Sequence, residues 1–438
     1  MGRWRTGTVG LALGICAALG TGCDSEKVNP PAKPGGEVEE PAPLPEAPEL
    51  PETLPGDARW TAHTATAGRQ DATAVATDGE GGIVVLGTSE PAEAQGTSAD
   101  SHGTTLTVSR HDGGGQQLWS RSFTPEPREG GAADVRSPLL AVSRTGDIFL
   151  AGKVEGRLRL GETVITDSSF VAKLDPDGTP RWARAVGPVR ALLPDGDGEL
   201  VLAQGMVVER YDAEGARRWS REVPAMASAS VVALDPEGGL VMAGNKHLGP
   251  FEIRGFIARL SPDGDVRWEQ ELAPEGPSFT DVALRPDGSF LFTGDFSGTF
   301  QWGRDTLQSP CTQRSCHRTA YALAVDGYGE PLWARTLDSQ TKSGSEGARL
   351  AVDATGGAAV VWRHGCGSEL ATLSSGGEVL WQNLYVTTPC SATPLLRDVA
   401  FLPDGDVVGA GMFLGTRSFG GKKLTASDSD VFLQRLVP

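Results

Sequence analysis

The alternation of apolar and polar positions is clearest in Phe170 to Val186. There Phe170, Ala172 and Leu174 form one period-two run, Asp175-Pro176-Asp177-Gly178 interrupts it, and a second run places Trp182 four residues after the glycine. Alternation on both sides of an Asp/Pro/Gly cluster predicts a β-hairpin. Proline presets φ for such a turn, and glycine takes the positive φ that closes the hairpin with a bulge. The same Gly-x-x-x-Trp phrase occurs at Gly56/Trp60, Gly115/Trp119, Gly178/Trp182, Gly215/Trp219, Gly264/Trp268, Gly329/Trp333 and Gly377/Trp381. Most of the tryptophans thus hold one repeat position, which makes them structural.

Each unit carries a second hairpin signal ahead of the Trp hairpin. A turn glycine is followed six residues on by another, at Gly81/Gly87, Gly146/Gly152, Gly238/Gly244, Gly288/Gly294 and Gly405/Gly411. Units three and six keep Gly198 and Gly356 but have Gln204 and Trp362 at the second place. Four short strands per repeat are the signature of a β-propeller. The count is informative because the last unit ends at Asp430 to Leu436 with no Trp strand after it. The missing strand, Gly56 to Ala62 with Trp60, stands at the start of the array. The expected fold is all-β, a seven-bladed β-propeller over residues 56–438 whose final blade borrows its outer strand from the amino-terminal side. Closure removes the edges that an open array would expose. Glycines 152/156/161, 294/298/303 and 411/415/420 share a further spacing, which predicts an extra hairpin or extended loop and makes Trp302 a core residue.

The amino terminus reads differently. Arg3 and Arg5 precede the apolar stretch Val9 to Leu19, and Gly20-Thr21-Gly22 precede Cys23. This resembles a bacterial lipoprotein signal, which implies that residues 1–22 are a signal peptide and that Cys23 is the lipidated residue. Gly20 stands where leucine is usual in that signal, and an ordinary secretory signal is the alternative. Residues 24–55 hold nine prolines and eight acidic residues against two lysines, too polar to bury a core. Residues 23–55 are therefore expected to be a disordered Pro/Glu-rich linker, a stalk reaching on the order of 80–100 Å at ~3.1 Å per residue if extended. The implied location is the bacterial cell envelope, outside the cytoplasm and attached to a membrane through lipid.

The formal net charge of −17 and pI near 4.9 argue against a nucleic-acid surface, which needs basic patches. Tight turns join first to second and third to fourth strands, so they share one face of the disc. The longer loops share the other face, where recognition usually sits. Cys311, Cys316, Cys366 and Cys390 fall on that variable face in units five and six. In an exported protein an even number of cysteines reads as disulfides, expected as Cys311–Cys316 and Cys366–Cys390. A metal site using these cysteines with His317 and His364 is the alternative, although the spacing matches no familiar zinc arrangement. The Asp-Pro-Asp-Gly clusters lack the late bidentate glutamate of a calcium loop, and turn chemistry accounts for them.

The repeat resembles secreted bacterial seven-bladed β-propeller lipoproteins, best in units two, four, five and seven. Its Gly-x-x-x-Trp phrase looks like the docking motif of quinoprotein propellers, which include a lipoprotein scaffold of the outer-membrane barrel assembly machinery. Those have eight blades against seven here, and the adjacent cysteine pair of quinoprotein dehydrogenases is missing. No nucleophile elbow, zinc-binding His-Glu-x-x-His or phosphate loop occurs. The resemblance implies a monomeric, non-catalytic binding or scaffold module without a cofactor, whose partner is a protein or glycan on the variable face. A hydrolase or quinoprotein-like oxidoreductase using the central channel, and a structural cell-surface protein, are the alternatives. One position, seven residues before each first-hairpin glycine, reads Ala74, Leu139, Ala191, Val231, Asp281, Arg349 and Asp398. The three charged residues are expected to meet at the channel mouth, either as an inter-blade ion pair or as a site in which Arg349 receives an anionic group.

Overall fold

The computed structural model describes residues 54–64, 68–90, 104–129, 133–196, 198–224, 228–247, 253–274, 277–310, 317–337, 344–365, 367–386 and 395–438. Each pair of alternating runs is an antiparallel ladder, and the ladders assemble into four-stranded sheets. From the axis outward, blade 1 is Arg69–Thr77, Ile83–Glu90, Thr105–His111 and Gln117–Phe123. Blade 2 is Asp134–Val142, Ile148–Glu155, Ser169–Leu174 and Pro180–Val186, and blade 3 is Val189–Asp195, Glu199–Gln204, Val207–Tyr211 and Arg217–Glu222. Blade 4 is Ala229–Leu234, Leu240–His247, Ile253–Leu260 and Val266–Pro274. Blade 5 is Ser278–Leu284, Phe290–Phe296, Thr319–Val325 and Pro331–Leu337, and blade 6 is Ser345–Val352, Ala358–His364, Gly367–Leu373 and Val379–Val386.

Blade 7 closes the ring. Leu395–Phe401, Val407–Phe419 and Lys422–Leu436 are followed in the sheet by Ala58–Thr64. Trp60 sits opposite Arg435 and Thr64 opposite Val431. Reciprocal backbone bonds of 2.9 Å, Gly56 N–H to Val437 O and Val437 N–H to Asp57 O, extend the pairing past the strand ends. The innermost strands touch in sequence from blade 1 round to blade 7 and back to blade 1, so the fold is a closed seven-bladed propeller.

The core lies between blades. Leu150 and Phe170 of blade 2 pack in one cluster with Val84 and Leu86 of blade 1. Middle strands such as Thr319–Val325 and Gly367–Leu373 are buried at every residue, which explains why small and apolar residues dominate them, with Glu369 the charged exception. Tryptophan is the bolt between outer strands. The Trp119 indole N–H of blade 1 donates to Pro176 O of blade 2 at 3.0 Å. Gly178, at φ +81°, lies so close that a Cβ there would stand 2.9 Å from the Trp119 ring, so only glycine fits in both conformation and space. Trp60, Trp182, Trp268 and Trp333 make the same bond, to Gly113, Ala213, Gly327 and Ser375 carbonyls at 3.0–3.1 Å.

Two seams depart from this rule. Beside Trp219 the Arg221 guanidinium lies 5.5 Å from the indole centroid and donates to Pro262 O itself. The Trp381 indole reaches the Gly56 turn, but its buried N–H has no partner. The extra hairpins are present as Arg157–Leu160 with Thr163–Thr166, Thr299–Trp302 with Asp305–Gln308, and the outer part of the long blade 7 hairpin. Trp302 is 3 % exposed and donates to Ala324 O at 3.1 Å, a core residue as its repeat position implies.

Candidate functional site at the channel mouth

The ladder between first and second strands slips at one level in all seven blades. The shifts fall between Ala72/Ala74, Arg136/Leu139, Val189/Ala191, Ala229/Val231, Phe279/Asp281, Glu346/Arg349 and Leu396/Asp398. The position singled out in the sequence is therefore the first residue after a β-bulge in every unit. A bulge leaves one residue unpaired and re-aims its neighbours. It also accounts for the second hairpin glycine: a Cβ on Gly294 would collide with the Ser278 carbonyl. Blade 6, with Trp362 at that place, instead puts Gly347 at φ +64° in the bulge.

Asp281 and Asp398 turn toward the next blade. Asp281 Oδ2 accepts the Leu350 N–H of blade 6 at 3.0 Å, and Oδ1 accepts its own neighbour's N–H, from Val282, at 2.9 Å. Asp398 Oδ2 accepts the Val75 N–H of blade 1 at 3.0 Å. Thr280, on the blade 5 bulge, donates to Ala348 O at 2.6 Å. These are clasps between innermost strands. Both carboxyls keep some exposure to the channel, yet burial among the converging strands is the main influence on them. It raises Asp281 against the pull of Arg349 and two backbone N–H groups, and it raises Asp398 to about 7.

The basic member of the cluster behaves otherwise. Arg349 is exposed and donates a long bond to Thr280 O at 3.4 Å. Among the described side chains no carboxylate lies within 4 Å of it. The three residues thus converge on one mouth, but Arg349 does not form a direct ion pair with either aspartate.

Around Arg349 the mouth opens into a cavity of about 410 Å³ reaching over blades 5, 6, 7 and 1. Its polar lining is Asp71, Thr73, Thr280, Arg349, Arg363 and Arg397, with Ala72, Val361 and Leu396 as apolar wall. Arg397 is the bulge residue of blade 7 and grips Asp71 through two bonds, Nε to Oδ1 at 3.1 Å and Nη2 to Oδ2 at 2.7 Å. Burial raises Asp71, opposed by Arg397 and more weakly by Arg363. Arg363 lies two residues beyond Val361, the register partner of Arg349, so the two guanidinium groups stand on neighbouring strands facing one space. Arg363 too has no carboxylate within 4 Å among the described side chains. A larger cavity of about 670 Å³ lies elsewhere, between Asn383 and Tyr385 of blade 6 and Thr416, Arg417 and Phe419 of the blade 7 hairpin, away from the axis.

Sequence reasoning located Asp281, Arg349 and Asp398 but not Asp71, Arg363 or Arg397. None of these three holds the position compared across units. Arg397 immediately precedes Asp398, and reading the bulge from the glycine opposite it was the available signal. Cys23, Cys311, Cys316, Cys366 and Cys390 lie outside the described residues. His317 is exposed, whereas His364 is buried 3.5 Å from Glu369, and burial holds its pKa below the usual value. Among the described residues no group of three His, Cys, Asp or Glu side chains is placed to hold a metal ion. Asp177 of the Asp-Pro-Asp-Gly turn accepts the Thr179 N–H at 2.9 Å, which is turn chemistry.

Residues 104–302 match the repeat-family model described as outer membrane protein assembly factor BamB. No curated protein sequence matches the chain. Among solved structures, similarity extends to the Pan2 WD40 domain of Neurospora crassa, at 12 % identity over 84 % of this chain and 89 % of that one, TM-score 0.46. A protein of unknown function from Dyadobacter fermentans is similar at 14 % identity over 87 % and 100 %, TM-score 0.45. Virginiamycin B lyase from Staphylococcus aureus is similar at 14 % identity over 67 % and 93 %, TM-score 0.40.

Proposed function

We propose that the protein is a lipid-anchored binding module of the bacterial cell envelope, held outside the cytoplasm by Cys23 and its stalk, whose partner docks over the variable face with the channel mouth at its centre. The observation that carries this reading is how the carboxylates at the mouth are engaged. Both oxygens of Asp281 accept backbone N–H groups, both oxygens of Asp71 accept Arg397, and Asp398 accepts the Val75 N–H of the next blade. General acid–base chemistry needs a carboxylate within reach of a reacting proton, whereas these are tied into the scaffold. What remains toward the cavity is the Arg349 and Arg363 guanidinium groups, since the Thr280 and Thr73 hydroxyls already donate to Ala348 O and Leu86 O. A concave site with a few convergent polar groups on a rigid frame suits holding a ligand. The family match to an envelope assembly factor supports the location and the scaffold class.

Site-specific photo-crosslinking in cells making the full chain tests this. A crosslinker at position 69, exposed on the variable face beside the mouth but outside the cavity lining, is expected to give a discrete, chemically unaltered partner adduct. One at position 287, in a tight turn of the opposite face, is expected to give none. Adducts confined to position 287, or a partner recovered cleaved or modified, contradict the reading.

A further inference from the structure

We propose that the channel mouth captures the C-terminal carboxylate of a protein partner, with Arg349 and Arg363 holding the carboxylate. The inference rests on the binding reading above and names its chemistry. Two planar guanidinium groups face one cavity, and neither has a carboxylate within 4 Å among the described side chains, although the chain carries a net charge of −17. Guanidinium forks match carboxylate and phosphate geometry, and a backbone terminus is a recurring target of such capture.

The cavity favours carboxylate over phosphate. Its wall already holds one carboxylate–guanidinium pair, Asp71 with Arg397, and Asp281 and Asp398 lie behind Arg349. Three carboxyl groups beside three arginines leave little net positive charge, so a phosphate dianion meets more repulsion than a singly charged carboxylate. The lining also favours a peptide over an acidic sugar. A pyranose offers an apolar ring face that needs a flat platform, and among the described residues no aromatic lines the cavity. The aliphatic lining residues Ala72, Val361 and Leu396 are 0–1 % exposed and belong to the core between blades, so they give a sugar ring no apolar face to stack on either. The bulges at Thr73 and Gly347 leave main-chain groups outside the ladder, of which the Ala348 carbonyl is taken by the Thr280 hydroxyl. At about 410 Å³ the space is small, in keeping with a chain end rather than a folded epitope.

The test is fluorescence anisotropy with the purified full chain in detergent. The probes are fluorescein-labelled peptide pools with randomised upstream positions ending in Ala-Val, as free acid or as C-terminal amide. Glucuronate disaccharide and inorganic phosphate serve as competitors. The free-acid pool is expected to bind saturably, the amide at least tenfold more weakly, and Arg349→Ala and Arg363→Ala each to weaken the acid at least tenfold. Arg363→Lys keeps the charge without the fork and is expected to recover part of the loss; melting curves matching the parent establish that the variants are folded. Equal binding of acid and amide, no binding of either pool, or displacement only by glucuronate or phosphate each overturns the carboxyl-terminus proposal. Binding by those anions alone leaves the broader binding reading standing. Conversion of the peptide to a new product contradicts that broader reading.

Discussion

Asp398 of blade 7 accepts the backbone N–H of Val75 in blade 1 at 3.0 Å, so the two ends of the repeat array are joined at the axis as well as at the rim. The rim joint is the Ala58–Thr64 strand on Lys422–Leu436. The axial joint places an ionisable group where the ring closes. Removing the acceptor leaves an N–H without its partner in the innermost layer, at a typical cost of ~1–3 kcal/mol. Asp398→Ala is expected to destabilise by about that amount in guanidinium unfolding, and Asp398→Asn, which retains an acceptor oxygen, by clearly less.

The same residue sets a pH dependence. Burial raises Asp398 to about 7, and raises Asp281 and Asp71 in the same direction. A carboxyl that holds its proton more tightly folded than unfolded stabilises the fold at low pH. That stabilisation declines as pH rises from the unfolded value near ~4 through the folded value. Urea midpoints are expected to fall between about pH 5 and pH 7.5, with a shallower fall in Asp398→Asn. A rising or flat profile across that window contradicts the assignment. Asp134, Asp235 and Asp287, held below the usual range with arginine and hydrogen-bond donors opposing their burial, act at lower pH and in the opposite sense.

Tryptophan docking makes its own demand on glycine. Gly178 and Gly288 both have φ near +80°, but only Gly178 has a ring against it, with nothing within 4 Å of a Cβ on Gly288. Gly288→Ala is expected to cost ~1 kcal/mol through backbone strain alone. Gly178→Ala adds the clash with Trp119, for ~2–4 kcal/mol in all. Thermal melts of the two variants compared side by side check the difference.

The proposed anchor is tested through Cys23. Metabolic labelling with a radioactive fatty acid is expected to mark the parent chain, and Cys23→Ala to lose the label and partition into the aqueous phase. Label retained by Cys23→Ala contradicts lipidation at that residue. For the four propeller cysteines, peptide mapping without reduction is expected to recover Cys311–Cys316 and Cys366–Cys390 as linked pairs.

The architecture was legible because its signals are local and repeated. Gly178 and Trp182 lie four residues apart, and the stranded Trp60 unit had one place to go. The mouth was only half legible. A repeat comparison finds positions that share a level, so it found Asp281, Arg349 and Asp398 after the bulges. It does not show where a side chain turns. Asp281 and Asp398 satisfy neighbouring backbone groups, which lie in another blade and leave no trace in local pattern. Arg363 and Arg397 come from a second strand and a bulge, and their meeting with Arg349 depends on ring closure. Bulges of two residues at Ser137-Pro138 and Gly347-Ala348, against one elsewhere, further shift the spacing.

Ligand recognition is proposed to occur at the axis of the closed ring. Hydrogen exchange of the full chain, with and without a saturating free-acid peptide ending in Ala-Val, tests it most directly. Protection is expected at 71–75, 347–350, 361–363 and 396–399, spread over blades 1, 6 and 7 and lost together in Arg349→Ala. Protection confined to the rim cavity around Asn383 and Arg417, or to the tight-turn face, would contradict it.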